Sequence, residues 1–422
     1  DRVDEKGHNV EVASIAYFDF DGMVDVRVIS NKERVNSARV RPLSYKITPD
    51  CVGDTVTFSL SRPRNLSVEV NGDIFHNLHL FANPIDKFRP SDKEIQRALK
   101  KKKGSNLIYF GPGVHNLPND TLFVPSGTTV YIDGGARVYG NIFTEGAHDV
   151  NIFGRGEVHP DGRGAGVWVR RSKNVRIDGI VVSQLPIGQC DSVELTNVKS
   201  ISYYGWGDGM DVFSSSNVIL DGVFCRNSDD CAAVYASTQG FKGGSNNVLV
   251  KNATLWADVA HPINIGGHGD PNGMDTVQNV TFRNIDILDQ AEKQVDYQGC
   301  LAINPGDNTL VRNITFENIR IEDFRNGQLV NFRISFNPKY CVSTGRGIQN
   351  VLVKDVTYNG SGENLSIIAG YDENHKISGI RFVNLVVNGR KITDDMPGKP
   401  KWYKTGDMAG IFVGEHVENL SF

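Results

Sequence analysis

The sequence has no surplus of basic residues, no paired cysteines and no apolar run of the ~18 residues a membrane helix needs. Lys and Arg number 45 against 49 Asp and Glu, a net charge of -4. That balance leaves no electrostatic footprint for nucleic acid. The six cysteines, Cys51, Cys190, Cys225, Cys231, Cys300 and Cys341, are scattered. Without a CxxC pair they suggest neither a structural metal nor a redox motif. Buried free thiols are the simple expectation, and one disulfide is the alternative. No export signal is visible. The charged start Asp1-Arg2-Val3-Asp4-Glu5 suits a chain whose leader has been removed, so a secreted, periplasmic or cell-surface location is expected.

Helical periodicity is also scarce. One segment carries it: Ser91-Asp92-Lys93-Glu94 reads as a capping box, Ile95 and Leu99 share a face, and Gly104 follows the Lys100–Lys103 run as a C-cap. Lysines there suit the negative end of the helix dipole. Before this segment, alternating runs such as Val24-Asp25-Val26-Arg27-Val28-Ile29 and Leu66-Ser67-Val68-Glu69-Val70 are broken by turns such as Asn71-Gly72-Asp73. Residues 1–88 are therefore expected to form an N-terminal β-sandwich.

After the helix one pattern holds to the end of the chain. Asn174-Val175-Arg176-Ile177-Asp178-Gly179 recurs as Asn217-Val218-Ile219-Leu220-Asp221-Gly222 and as Asn247-Val248-Leu249-Val250-Lys251-Asn252. Further copies begin at Asn279, Asn313 and Asn350. Each unit is an Asn, a short alternating strand, a bend and a second apolar strand. An Asn at a fixed bend tolerates the left-handed conformation and stacks on its neighbour. With no helix between the units, residues 89–422 are expected to form a right-handed parallel β-helix. A β-propeller is the alternative, although the hairpin turns it needs are not regularly placed. The repeat also generates Asn-x-Thr triplets at Asn252, Asn279 and Asn313, so these are weak signs of glycosylation.

Within the repeats stand Asp208, in Gly207-Asp208-Gly209-Met210-Asp211, and Asp229 and Asp230, in Asn227-Ser228-Asp229-Asp230-Cys231. Asp208 and Asp229 are 21 residues apart, close to one coil. Neighbouring coils lie ~4.8 Å apart, which brings the two side chains together. Crowded carboxylates raise at least one pKa, and a protonated acid beside an ionised base is what acid–base hydrolysis requires. On spacing alone, a solvated turn and a Ca²⁺ site compete with this reading.

The two aspartate motifs resemble those of glycoside hydrolase family 28, the polygalacturonases, and of family 49, the dextranases and isopullulanases. The resemblance implies a β-helix, an inverting mechanism and no redox cofactor or resident metal. It assigns Asp229 as general acid, with Asp208 and Asp230 holding and deprotonating the attacking water. His261, in Ala260-His261-Pro262-Ile263-Asn264-Ile265, matches the register of the family 28 histidine better than the literal Gly267-His268-Gly269. That family also has an Arg-Ile-Lys that binds the galacturonate carboxylate. Here the register reads Leu301-Ala302-Ile303-Asn304, without either cation. Phe332-Arg333-Ile334 keeps an Arg one repeat later. Family 49 is similar in overall order, from the N-terminal sandwich to Ala253-Thr254-Leu255-Trp256 and Phe332-Arg333-Ile334, and is the closer on that criterion. It carries a Lys after the aspartate pair, where this chain has Ala232-Ala233.

The expected function is inverting hydrolysis of a polysaccharide or oligosaccharide, nominally an α-glucan, with a pectin-directed activity as the alternative. A non-catalytic carbohydrate-binding solenoid and a polysaccharide lyase complete the set. Beside the three aspartates, the candidate substrate contacts are Tyr204, Trp206, Asp211, His261, His268, Asp270, Asn304 and Arg333, with Trp256 expected in the core. Cations such as Arg226 or Arg333 converging on the cleft would favour the pectin-directed alternative.

Overall fold

The computed structural model describes residues 2–3, 11–32, 34–100, 104–160, 162–361 and 363–422. The main body is a right-handed parallel β-helix. Thirty strands follow one another almost in sequence order, from Leu107–Phe110 to Val417–Ser421, and all but Arg390–Ile392, which pairs antiparallel with Leu385–Val387, pair in parallel with a strand one coil away. The register stacks Val175, Val193, Val218, Val248, Val280, Ile314, Val351 and Ile380 in one inward row. These side chains belong to a single apolar core reaching from Leu117 to Ile411.

The recurring Asn does what the repeat demanded. Asn174, Asn217, Asn247, Asn279, Asn313 and Asn350 all take φ between 54° and 58°. Their amides form a ladder across coils: Asn247 donates to Asn217 at 2.7 Å, Asn313 to Asn279 at 3.1 Å and Asn350 to Asn313 at 3.2 Å. A second ladder runs through Asp221, Asn252, Asn284 and Asn318. Each triplet asparagine thus donates an amide hydrogen across coils: Asn252 to Asp221, Asn279 to Asn246 and Asn313 to Asn279. One coil was invisible in the repeat because Ser192 (φ 59°) stands where Asn was expected.

The N-terminal residues form a four-stranded sheet (Ser14–Phe20, Leu78–Pro84, Arg64–Val70, Ala38–Arg41) and a three-stranded sheet (Val24–Ile29, Thr55–Leu60, Asp50–Val52). They share a core that includes Val40, Val56, Leu66 and Val68. The helix Asp92–Leu99 has its capping box, with the Glu94 N–H donating to Ser91 Oγ. It buries Ile95, while Leu99, the last residue of the helix, is exposed. Lys101 to Lys103 lie outside the described residues.

The N-terminal sheet is fastened to the β-helix by buried charge. Arg226, wholly buried, donates to Asp258 at 2.9 Å and to Asn77 at 2.9 Å, and lies 3.9 Å from the Trp256 ring centroid. Arg155 reaches Asp19 at 2.9 Å and the Pro84 carbonyl at 3.0 Å. Lys199 donates to Asn83 at 2.6 Å. Between them the Phe224 ring packs on His79 and Phe81, with centroids 5.5 and 5.2 Å away. Trp256 is thus core, as expected, and Arg226 faces the junction and not a cleft. All six cysteines are unpaired.

Removing one partner of a buried ion pair strands the other charge, at a cost of about 3–5 kcal/mol. Asp258→Ala is expected to lower unfolding stability by about that amount in urea titrations, because it strands Arg226 and also removes the acceptor of Arg325 at 2.7 Å. A loss below about 1 kcal/mol would show that the junction does not depend on this pair.

Candidate active site

Three successive coils bring the carboxylates together. The Gly209 N–H donates to the Asp230 carbonyl at 2.7 Å, and Met210 N–H to Cys231 at 2.9 Å. The Cys231 N–H in turn donates to the His261 carbonyl at 2.9 Å. Asp208 and Asp211 therefore flank one coil, Asp229 and Asp230 the next, and His261 and Asn264 the third. The chain bends at Ser228 and Asp229, between strands Phe224–Asn227 and Ala232–Tyr235. That bend places two adjacent aspartates at one corner, where strict strand alternation would have parted them.

Close packing explains the residues around Asp208. A Cβ on Gly207 would stand 2.6 Å from the Tyr204 carbonyl, and one on Gly209 would stand 2.6 Å from Asn227 Oδ1. Both are closer than any side chain tolerates. Beneath them, Asn227 donates to Ser200 at 3.0 Å, to Ser202 at 2.9 Å and to the Asp208 carbonyl at 3.3 Å. Ser228 donates to the Tyr204 carbonyl at 2.6 Å.

Electrostatics splits the carboxylates into two kinds. Asp230 is buried, which alone would raise its pKa. His261 more than offsets this through its charge and its hydrogen bond, aided by hydrogen bonds from Asn264 and Tyr235, and Asp230 is held at about 2. Its partners are His261 Nδ1 at 2.7 Å, the His261 N–H at 3.0 Å, Asn264 Nδ2 at 2.8 Å and the Tyr235 hydroxyl at 2.5 Å. Asp208 and Asp211 have no such cage. Burial first, and then the neighbouring carboxylates, pushes both well above the ordinary range, and the two share a hydrogen bond. Burial and crowding thus push this pair up, while the cage keeps Asp230 ionised at neutral pH. Asp229 is buried, and its Oδ1 accepts from the Asp230 N–H at 3.1 Å.

The remaining candidates divide. His261 is wholly buried and bonded to Asp230. His268 packs edge-on against Tyr235 at 5.0 Å, and burial lowers its pKa. Trp206 is 66% exposed. Tyr204 is a correction: it is buried and its hydroxyl donates to the Gly164 carbonyl at 2.5 Å, so its ring has no face to offer a sugar. Asp270 is not brought to the carboxylates; it accepts from the Asn272 N–H at 3.0 Å and pairs with Lys242 at 3.4 Å. Asn304 donates to Asn331 Oδ1 at 3.2 Å and to the Arg333 carbonyl at 3.3 Å. Arg333 ends the strand Val330–Arg333, one coil beyond Asn304. Among the described residues, no group of three or more His, Cys, Asp or Glu is arranged to hold a metal ion.

Three residues escaped the sequence. Asn264 had a signal: it is polar between inward Ile263 and Ile265, so it must face outward. Tyr235 follows inward Val234 in the same way. Tyr297 had none. It lies in the irregular segment after Gln290, edge-on to His261 at 4.3 Å and stacked on Tyr340 at 4.9 Å.

Residues 167–396, more than half of the chain, match the model of glycosyl hydrolases family 28. The chain belongs to family 28. A curated relative, a polygalacturonase of Juniperus ashei, is 26% identical over 62% of this chain and 54% of its own length. The chain spans about half the length of the curated relatives it matches. Among solved structures, a Yersinia enterocolitica family 28 exopolygalacturonase superposes with a TM-score of 0.55 at 12% identity, covering 95% of this chain and 97% of the other. Dex49A from Penicillium minioluteum gives 0.61 at 14% identity, covering 96% and 83%. At such identities both show a shared fold alone. The closer kinship with family 49 suggested by the order of segments is thus not what the family match supports. At the Arg-Ile-Lys register of family 28 this chain reads Leu301-Ala302-Ile303-Asn304. Leu301 and Ile303 point into the core, so the outward places of the two cations fall to Ala302 and Asn304.

A carboxyl group whose pKa is higher folded than unfolded opposes folding as pH rises from its unfolded value, near ~4, through its folded one. Asp211→Asn is therefore expected to raise the urea midpoint at pH 7–8, with the gain vanishing near pH 4. Asp230 acts oppositely: held at about 2, it contributes fully above pH ~4 and loses that contribution as pH falls through 2. Midpoints of both Asp→Asn variants across this range check the signs.

Proposed function

We propose that this family 28 protein is an inverting glycoside hydrolase acting on a pectic polymer outside the cytoplasm. Asp229 protonates the glycosidic oxygen. Asp230, the ionised carboxylate, deprotonates the attacking water, and Asp208 helps to hold that water. The observation that carries this reading is the convergence of Asp208, Asp229 and Asp230 on adjacent coils in unequal environments, Asp230 caged and ionised and Asp208 pushed well up by burial and its crowded neighbours. Separated protonation states are what general acid and general base must have at one pH. The pectic substrate is supported by the family match and by the name of the relative, a polygalacturonase. Neutral-glucan hydrolysis keeps one support, the uncharged Ala302 and Asn304 in the outward places of the clamp.

His261 works through Asp230. By donating from Nδ1 it keeps Asp230 ionised and fixes its orientation. Tyr235 and Asn264 hold the other oxygen. Asp208 is kept in place by the glycines that flank it and by Asn227 beneath.

The test is release of reducing ends across pectic polymers, neutral galactans and neutral glucans. Asp229→Asn is expected to lower kcat by about 10²–10⁴-fold with KM little changed, and proton NMR of early products to show inverted anomers. Undiminished turnover in Asp229→Asn would remove that residue as the acid. Retained configuration would remove the direct attack of water.

A further inference from the structure

A groove of about 790 Å³ lies between the N-terminal sheet and the β-helix, away from the carboxylate cluster. One wall is formed by Tyr45, Lys46 and the Arg62-Pro63-Arg64 run. The other is the second amide ladder, through Asp221, Asn252 and Asn284. Asn65 pins the walls together by donating to the Gly222 carbonyl at 3.1 Å. Gly222 and Asp229 stand at opposite ends of the strand Phe224–Asn227, so at ~3.3 Å per residue the groove and the carboxylate corner are roughly 20 Å apart.

The lining holds four cations, Lys46, Arg62, Arg64 and Arg320, against two carboxylates, Asp221 and Asp286. Both carboxylates are already engaged. Asp286 takes Arg320 in a forked pair at 2.6 and 2.9 Å. Asp221 accepts from Asn252 at 2.7 Å and pairs with Lys251 at 3.1 Å. Among the described residues, Lys46, Arg62 and Arg64 form no ion pair. Lys46 and Arg62 are exposed, and Arg64 sits over the Tyr45 ring, 3.9 Å from its centroid. Burial first, with repulsion from Arg62 adding to it, draws the Arg64 pKa below its ordinary value despite Tyr45. In a chain of net charge -4, three uncompensated cations in one groove make a local field that attracts an anion.

The amide wall gives that anion a form. Asn252 and Asn284 each donate one amide hydrogen along the ladder, at 2.7 Å, which leaves a second for a ligand. They recur at the coil spacing of ~4.8 Å, close to the advance of one pyranose along a polysaccharide. Hydroxyls suit these amides, and carboxylates suit the cations of the facing wall. We propose that the groove is a second polysaccharide-binding site, one that takes a uronate-bearing chain and tethers the polymer while another stretch of it is cleaved. Naming the anion a uronate rests on the pectic reading; the surplus of cations does not.

The test runs Asp229→Asn through native gels cast with polygalacturonate, neutral galactan or sulfated dextran, beside the same protein also carrying Lys46→Ala and Arg62→Ala. Polygalacturonate is expected to retard the parent, and the double change to weaken that binding about tenfold, the effect of losing two exposed charge contacts together. In the otherwise wild-type enzyme, the double change is expected to raise KM on long polygalacturonate severalfold and to leave kcat/KM on short oligomers unchanged. Retardation that survives the double change belongs to the carboxylate cleft and overturns the proposal. Equal retardation by sulfated dextran or by neutral galactan overturns it too, as does retardation by no polymer at all. Should the double variant prove unstable in urea, Arg62→Glu, at an exposed position outside every strand, replaces it. The two readings fail separately: groove-dependent retardation without hydrolysis of any pectic polymer would sink the hydrolase reading and leave this site standing.

Discussion

The stacking of one coil exactly over the next is the constraint from which everything else follows. It is enforced at the corners, where an asparagine in the left-handed conformation passes its amide hydrogen to the asparagine one coil away. A slip by one residue would turn every inward valine to solvent. Because the ladders forbid that slip, residues far apart in sequence hold fixed mutual positions. The aspartate motifs, His261 and Asn264 meet because three coils are stacked in register.

Against that rigid frame, the length of each coil is free. Stacked positions are 18 residues apart between Val175 and Val193, and 37 apart between Ile314 and Val351. The extra residues leave the strands at the corners and become walls. Tyr297 and Tyr340 stand on such excursions, as does the Gly-rich turn at Asp270. The scaffold supplies a common floor, and the excursions decide what can lie on it.

This division explains how much was legible in the sequence. The β-helix was readable because its corners demand asparagine and its interior demands alternation, both of which leave periodic traces. The helix cap and the carboxylate cluster were readable for the same reason: local chemistry at short spacing. Ser192 hid one coil by filling an asparagine's place with a different residue. Tyr204 looked like a sugar platform, and only packing reveals that its ring is enclosed. Tyr297 left no mark, since it reaches His261 through an irregular segment with no period to betray it. The missing Arg-Ile-Lys was visible in sequence, but its meaning required knowing which side of the strand faces out.

Arg226, Asn227, Ser228 and Asp229 are consecutive, so the buried charge that fastens the N-terminal sheet lies three residues from Asp229. Asn227 braces the Asp208 loop while Arg226, its neighbour on the same strand, points through the wall to Asn77 and Asp258. The two halves of the chain are thereby one mechanical object. A β-helix cut free of its N-terminal sheet would not be a smaller version of the same molecule. It would expose a guanidinium on the outer side of the strand whose inner side aligns the carboxylates, and water entering there would reach the base of the corner that holds Asp229 and Asp230.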